Sequence, residues 1–174
     1  MIILGIDPGS RMTGYGFIKN HANRFEYLDS GCIKAKGDSL SKRLGYIFNR
    51  LSELIEQHQP LQMGIESVFM HKNADSALKL GQARGAAICA AHQFDVEVFE
   101  YAPREIKLTI VGKGAAHKEQ VMHMVTRLLS LPGPLQADEA DALATAICHA
   151  QHQQMETKTG LPASAFRGRR ALRR

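Results

Sequence analysis

Residues 2–19 read IILGIDPGSRMTGYGFIK, and the fold is decided there. The apolar run from Ile2 to Ile6 suits a buried strand, and Asp7-Pro8-Gly9-Ser10 ends it with residues that favour a turn. GYGFIK, residues 14–19, reads as a second strand, and FEYLDSGCI, residues 25–33, as a third. Strands connected this closely suit an antiparallel meander. Beyond them Asp38-Ser39 is a plausible helix cap, followed by an apolar stripe at Leu40, Leu44, Ile47, Phe48, Leu51, Leu54 and Ile55 that Pro60 closes. Residues 61–68 read as a fourth strand, 74–91 as an Ala-rich helix and 96–101 as a fifth strand. Three helical patterns complete the chain: a short one after Pro103, one over about 117–129, and one over about 137–152.

Three leading strands followed by alternating helix and strand imply a mixed five-stranded α/β sheet with helices on both faces. The 174 residues, 44% of them hydrophobic, match one domain, expected over residues 1–153, with 154–174 as a flexible basic tail. No stretch approaches a membrane span, and the amino terminus enters a strand without the layout of a signal peptide, so a soluble cytoplasmic protein is expected. Cys32, Cys89 and Cys148 are odd in number and widely spaced, which suits three buried small hydrophobes better than a disulfide framework or a zinc site. His149 and His152 read as an exposed pair on the last helix.

The net charge of +5 is unevenly placed. From Thr157 onward six basic residues face no acid, so the first 156 residues, with sixteen basic and seventeen acidic side chains, sum to −1. A basic tail adds salt-sensitive affinity for polyanions but specifies no partner.

Four acids stand at element ends. Asp7 closes the first strand and Glu66 lies in the fourth, where an acid among apolar neighbours must be paired, protonated, bound to a cation or turned to water. Asp138 and Asp141 lie one turn apart near the start of the last helix, a place the helix dipole also offers to acids, Glu139 included. Singly, each has an ordinary structural explanation. Together they form an oxygen-only donor set of the kind that suits Mg²⁺ or Mn²⁺, and two such cations can activate water and stabilise a departing 3′ oxygen in phosphodiester hydrolysis.

Four blocks are more specific: LGIDPGSRMTGYGFI (4–18), IESVFMHKNADSALKLGQARGAA (65–87), VGKGAAHKEQV (111–121) and QADEADALATAI (136–147). In this order they resemble the RuvC family of bacterial Holliday junction resolvases, over residues 2–150. The resemblance implies a ribonuclease H-like fold and a Mg²⁺-dependent homodimer, with Mn²⁺ able to substitute. It implies paired, symmetric nicks in strands of like polarity at a four-way DNA junction, in recombination and repair at the nucleoid. Asp7, Glu66, Asp138 and Asp141 match the family's metal-binding catalytic acids; Phe69 matches an aromatic used against an unstacked base, and Lys107 and Lys118 match basic positions tied to DNA phosphates or catalysis. RuvA and RuvB, which migrate and bind the junction, are the implied partner proteins. The helix over 74–91 is the candidate dimer interface, although its small residues also suit close packing within one subunit. Two other functions compete: a junction-binding module without cleavage, and an actin-like kinase fragment suggested by the Asp7-Pro8-Gly9 turn, against which the length of the chain argues.

Overall fold

A computed structural model describes residues 1–22, 24–67 and 73–160. Its strands are β1 (Ile2–Asp7), β2 (Met12–Asn20), β3 (Phe25–Lys34), β4 (Gln62–Glu66) and β5 (Glu97–Tyr101). The helices are α1 (Leu40–His58), α2 (Ala74–His92), α3 (Pro103–Val111), α4 (Lys118–Leu128) and α5 (Ala137–Thr159). The sheet order is β3-β2-β1-β4-β5, with β1, β2 and β3 antiparallel and β4 and β5 parallel to β1. The expected meander and mixed sheet are therefore both present, and β1 and β4 are neighbours.

Alternation along β1 divides the core. Leu4 and Ile6 face one layer, packed with Ile47, Leu51 and Ile55 of α1 and Ala83, Ala87 and Ala90 of α2. Ile3 faces the other, with Ile106 and Ile110 of α3, Val121 and Val125 of α4, and Leu143 and Ile147 of α5. Ser39 caps α1 as expected, its hydroxyl accepting from the Lys42 amide at 3.3 Å.

The centre of α5 is buried on every side, from Ala142 to Ala150. This requires a close approach to the sheet, which glycines provide. Gly16, Gly5 and Gly64 share one rung across β2, β1 and β4. A Cβ on Gly5 would lie 2.1 Å from the Ala142 carbonyl oxygen, and one on Gly16 2.5 Å from Leu143 Cδ2. A helix seated against side chains would stand farther off, so the glycine rung sets the height of α5 above the sheet.

Several expectations are corrected. The last helix does not fade near His152 but runs to Thr159, because its polar residues have partners: Gln154 donates to Asn20 Oδ1 at 2.8 Å and to the His21 carbonyl at 3.0 Å. Only Cys148 is buried; Cys32 is half-buried and Cys89 exposed. His149 is not exposed but 1% accessible, stacked on Phe99. Tyr101 Oη lies 2.7 Å from its Nδ1 and Gln62 Oε1 lies 3.0 Å from its Nε2. Because the amide oxygen can only accept, Nε2 carries the proton and Nδ1 accepts from the tyrosine.

Burial, reinforced by nearby His152, pushes the His149 pKa down to about 4. The unfolded chain therefore takes up this proton first as pH falls, and stability is lost between the ordinary pKa of about 6.5 and the folded value. Acidification from pH 7 to pH 5 is expected to cost about 2 kcal/mol through this residue. Thermal melts of wild type and His149→Gln at both pH values check this: the variant should lose correspondingly less on acidification, and equal losses would refute it.

Candidate active site

β1 and β4 run parallel with Ile6 opposite Ile65, which sets Asp7 and Glu66 side by side at the carboxyl ends of neighbouring strands, about 4.8 Å apart at the backbone. Both point to the face covered by α5. Asp7 leads into a tight turn in which Thr13 Oγ1 donates to the Gly9 carbonyl at 2.8 Å, and a Cβ on Gly9 would collide with Met12 O at 1.9 Å. Beyond Glu66, the Ser67 amide donates to the Tyr101 carbonyl at 2.9 Å and so continues the pairing with β5.

The start of α5 is brought to the same place by Gly14, the cross-strand partner of Asp7. A Cβ on Gly14 would lie 1.9 Å from the Asp138 carbonyl oxygen. Of the three acids in this turn, Glu139 serves the fold: Oε1 accepts from Ser30 Oγ at 2.6 Å and Oε2 from the Gln136 amide at 3.0 Å, forming a capping box. Asp138 and Asp141 are left to act on the strand acids.

The electrostatics of the four acids follow from this gathering. Burial pushes the Asp7 pKa up to about 8, and Glu66, Asp141 and Asp138 add repulsion that Lys118 partly offsets. Burial and then Asp141 push Glu66 up to about 7, opposed by Lys118 and Lys107. Lys118 Nζ lies 3.0 Å from Asp141 Oδ2, an interaction that raises the lysine's own pKa. Six of the seven anticipated side chains thus belong to one electrostatic group; Phe69 lies outside the described residues.

Among the described residues no three His, Cys, Asp or Glu side chains are turned toward one metal-sized point. Asp141 is directed at the Lys118 ammonium instead. The donor chemistry nevertheless fits a hard divalent cation: carboxylate oxygens, partly buried and mutually repelling, with no thiolate or imidazole among them.

Gly14, which seats the start of α5, has no side-chain chemistry to single it out. Its signal was the alternation Gly14-Tyr15-Gly16 within a strand, which marks the close approach of another backbone. No helix among the described residues is long and apolar enough to cross a membrane.

Comparison with known proteins identifies the family of the chain. The family model for crossover junction endodeoxyribonuclease RuvC matches residues 3–149. Curated relatives carrying that name include one from Psychromonas ingrahamii, 56% identical over 97% of this chain and 98% of its own length. Another, from Photobacterium profundum, is 57% identical with the same coverage. The structure of Thermus thermophilus RuvC in complex with a Holliday junction substrate superposes with a TM-score of 0.84 at 33% identity, covering 90% of this chain and 97% of that one. The yeast mitochondrial Holliday junction resolvase Ydc2, at 14% identity, 94% and 83% coverage and a TM-score of 0.64, shares the fold. With its four acids gathered at one end of the sheet and the family match running through all of them, the chain belongs to the crossover junction endodeoxyribonuclease RuvC family.

Proposed function

We propose that this protein resolves Holliday junctions, hydrolysing DNA phosphodiesters at Asp7, Glu66, Asp138 and Asp141 through paired, symmetric nicks in strands of like polarity. The observation that carries this reading is the convergence of three separate elements, the ends of β1 and β4 and the start of α5, on one acidic cluster in a RuvC-family chain.

The four carboxylates are assigned to hold Mg²⁺, with Mn²⁺ able to replace it. Bound there, a divalent cation supplies neutralisation of the phosphate charge and stabilisation of the attacking and leaving oxygens. The protein's own groups do the rest. The strand ends fix Asp7 and Glu66 on a rigid sheet, and the α5 amino terminus presents its partial positive charge to the same point. Lys118 and Lys107 offset the repulsion among the acids and are assigned to the phosphate backbone. No nucleophilic side chain is needed, since water attacks the phosphorus directly.

Two symmetric cuts call for two active sites related by a two-fold axis. α2 is assigned as the interface. Its buried face, Ala83, Ala87, Ala90 and Ala91, is used within the subunit, whereas a Cβ on Gly81 or Gly85 would meet nothing within 4 Å and Leu78 is 66% exposed. These small residues are therefore not explained by contacts inside one protomer.

Four outcomes are expected. On an end-labelled immobile four-way junction, wild type should give symmetric nicks with Mg²⁺ and none with chelator. Asp7→Asn should lose about 10²-fold or more in cleavage rate while still binding DNA, since a cation-holding carboxylate is removed and the phosphate-facing lysines are kept. Cleavage by Asp7→Asn, or in chelator, would remove the metal-nuclease reading. Gly14→Ala keeps every acid yet drives a methyl group into the Asp138 backbone. It should destabilise the fold by about 1–3 kcal/mol and slow cleavage by the folded fraction about 10²-fold; a rate equal to wild type would show that α5 placement is not critical. Finally, Gly85→Trp should leave the protomer folded by circular dichroism and yield monomers by sedimentation, and an unchanged dimer would exclude this face.

A further inference from the structure

The tip of the sheet at the β1–β2 and β3–α1 connections carries five basic side chains outside the catalytic cluster: Arg11, Lys34, Lys36, Lys42 and Arg43. All but Arg43 are exposed. The acidic complement is small: from residue 31 to residue 52 the sole acid is Asp38, and residues 8–19 contain none. Asp38 pairs with Lys42 at 3.0 Å, but both side chains are largely in water, where such a pair is weak.

The strip is built rather than scattered. Met12 pairs with Lys34, the Ala35 amide donates to the Arg11 carbonyl at 2.9 Å, and Arg43 Nε donates to the Ser10 carbonyl at 3.1 Å. Gly37, at φ 139°, folds the next loop so closely onto α1 that a Cβ there would meet Lys42 Cβ at 2.6 Å. The first turn of α1 holds no acid but does hold Lys42 and Arg43, cations at the positive end of a helix. That arrangement opposes the helix dipole, and an anion at the site would relieve it.

Register locates the strip relative to the acids. Asp7 pairs with Gly14, Gly14 with Cys32, and Lys34 lies two residues farther along β3 on the same face. Two strand spacings across and two residues up place the Lys34 backbone about 12 Å from that of Asp7. At about 3.4 Å per nucleotide along a duplex strand, this is about three or four steps from the bond being cut. Lys107, on the helix that follows β5, stands on the opposite flank beside Glu66.

We propose that this strip docks the phosphodiester backbone of the junction arm flanking the cut, so that DNA is held on both sides of the acidic cluster. The inference rests on the junction-resolving reading above. Its ligand is duplex DNA read through phosphates, without base contacts, so it contributes salt-dependent affinity and orientation.

The test measures binding of the full chain to a four-way DNA junction over a series of KCl concentrations. Lys34→Gln/Lys36→Gln/Lys42→Gln should flatten the slope of log Kd against log salt by about 2 to 3, at about 0.9 for each phosphate that is no longer neutralised. Lys19→Gln/Arg24→Gln, at the far end of the sheet, should leave the slope as in wild type. At saturating protein the far-end variant should also cleave at the wild-type single-turnover rate, because it touches neither the strip nor the acidic cluster. If the triple variant melts early, the exposed single change Arg11→Gln should flatten the slope by about 1. An unchanged slope, or an equal change in the far-end variant, would overturn the strip while leaving the resolvase reading intact. A wild type that neither binds nor cuts the junction would overturn both.

Discussion

The height of α5 above the sheet is the constraint on which the remainder of this protein depends. Gly5, Gly16 and Gly64 form a side-chain-free rung beneath it, and Gly14, two residue pairs closer to the strand ends, lies against the backbone of Asp138 itself. Because the helix meets backbone rather than side chains, its position is set by contacts that cannot yield by changing rotamer. The same seating serves stability and chemistry. It buries the middle of α5 completely, and it brings the first turn of that helix to the ends of β1 and β4.

Once those elements meet, electrostatics shape what the site can do. Four acids in a half-buried cluster repel one another, and burial raises the cost of charging Asp7 and Glu66 further. The fold tolerates this by supplying Lys118 against Asp141 and Lys107 near Glu66, and by assigning Glu139 to the helix cap. Such a cluster is poor at stabilising a fold and good at attracting cations. The carboxyl ends of β1 and β4 are consequently where charge is most costly to bury.

The later turns of α5 are held to the sheet by polar links. His149, buried as a neutral imidazole between Tyr101 and Gln62, ties α5 to β4 and β5, and Gln154 ties its later turns to the β2–β3 loop. These polar links extend α5 beyond its apolar segment and hold it as a long lever whose amino-terminal end carries two of the four acids. α2, by contrast, turns its alanine face inward and leaves Gly81, Gly85 and Leu78 outward.

The sequence by itself determined the strand order of appearance, the α1 cap and stripe, and the identity of the acids, because those depend on local periodicity and on residue types whose chemistry is visible one at a time. Its ordered blocks also carried the family resemblance. Tertiary structure decided what depends on neighbours distant in the chain. The polar residues 153–159 gave no apolar period and read as tail, yet they are helical because Gln153 and Gln154 find partners on β4 and β2. His149 looked like a surface residue until Phe99 and Tyr101 closed over it. Asp138 and Glu139 are indistinguishable as acids in a first helical turn; Gly14 beneath one and Ser30 beside the other separate their roles. Periodicity reports which face of an element is buried, but only the packed chain sets which groups meet across it.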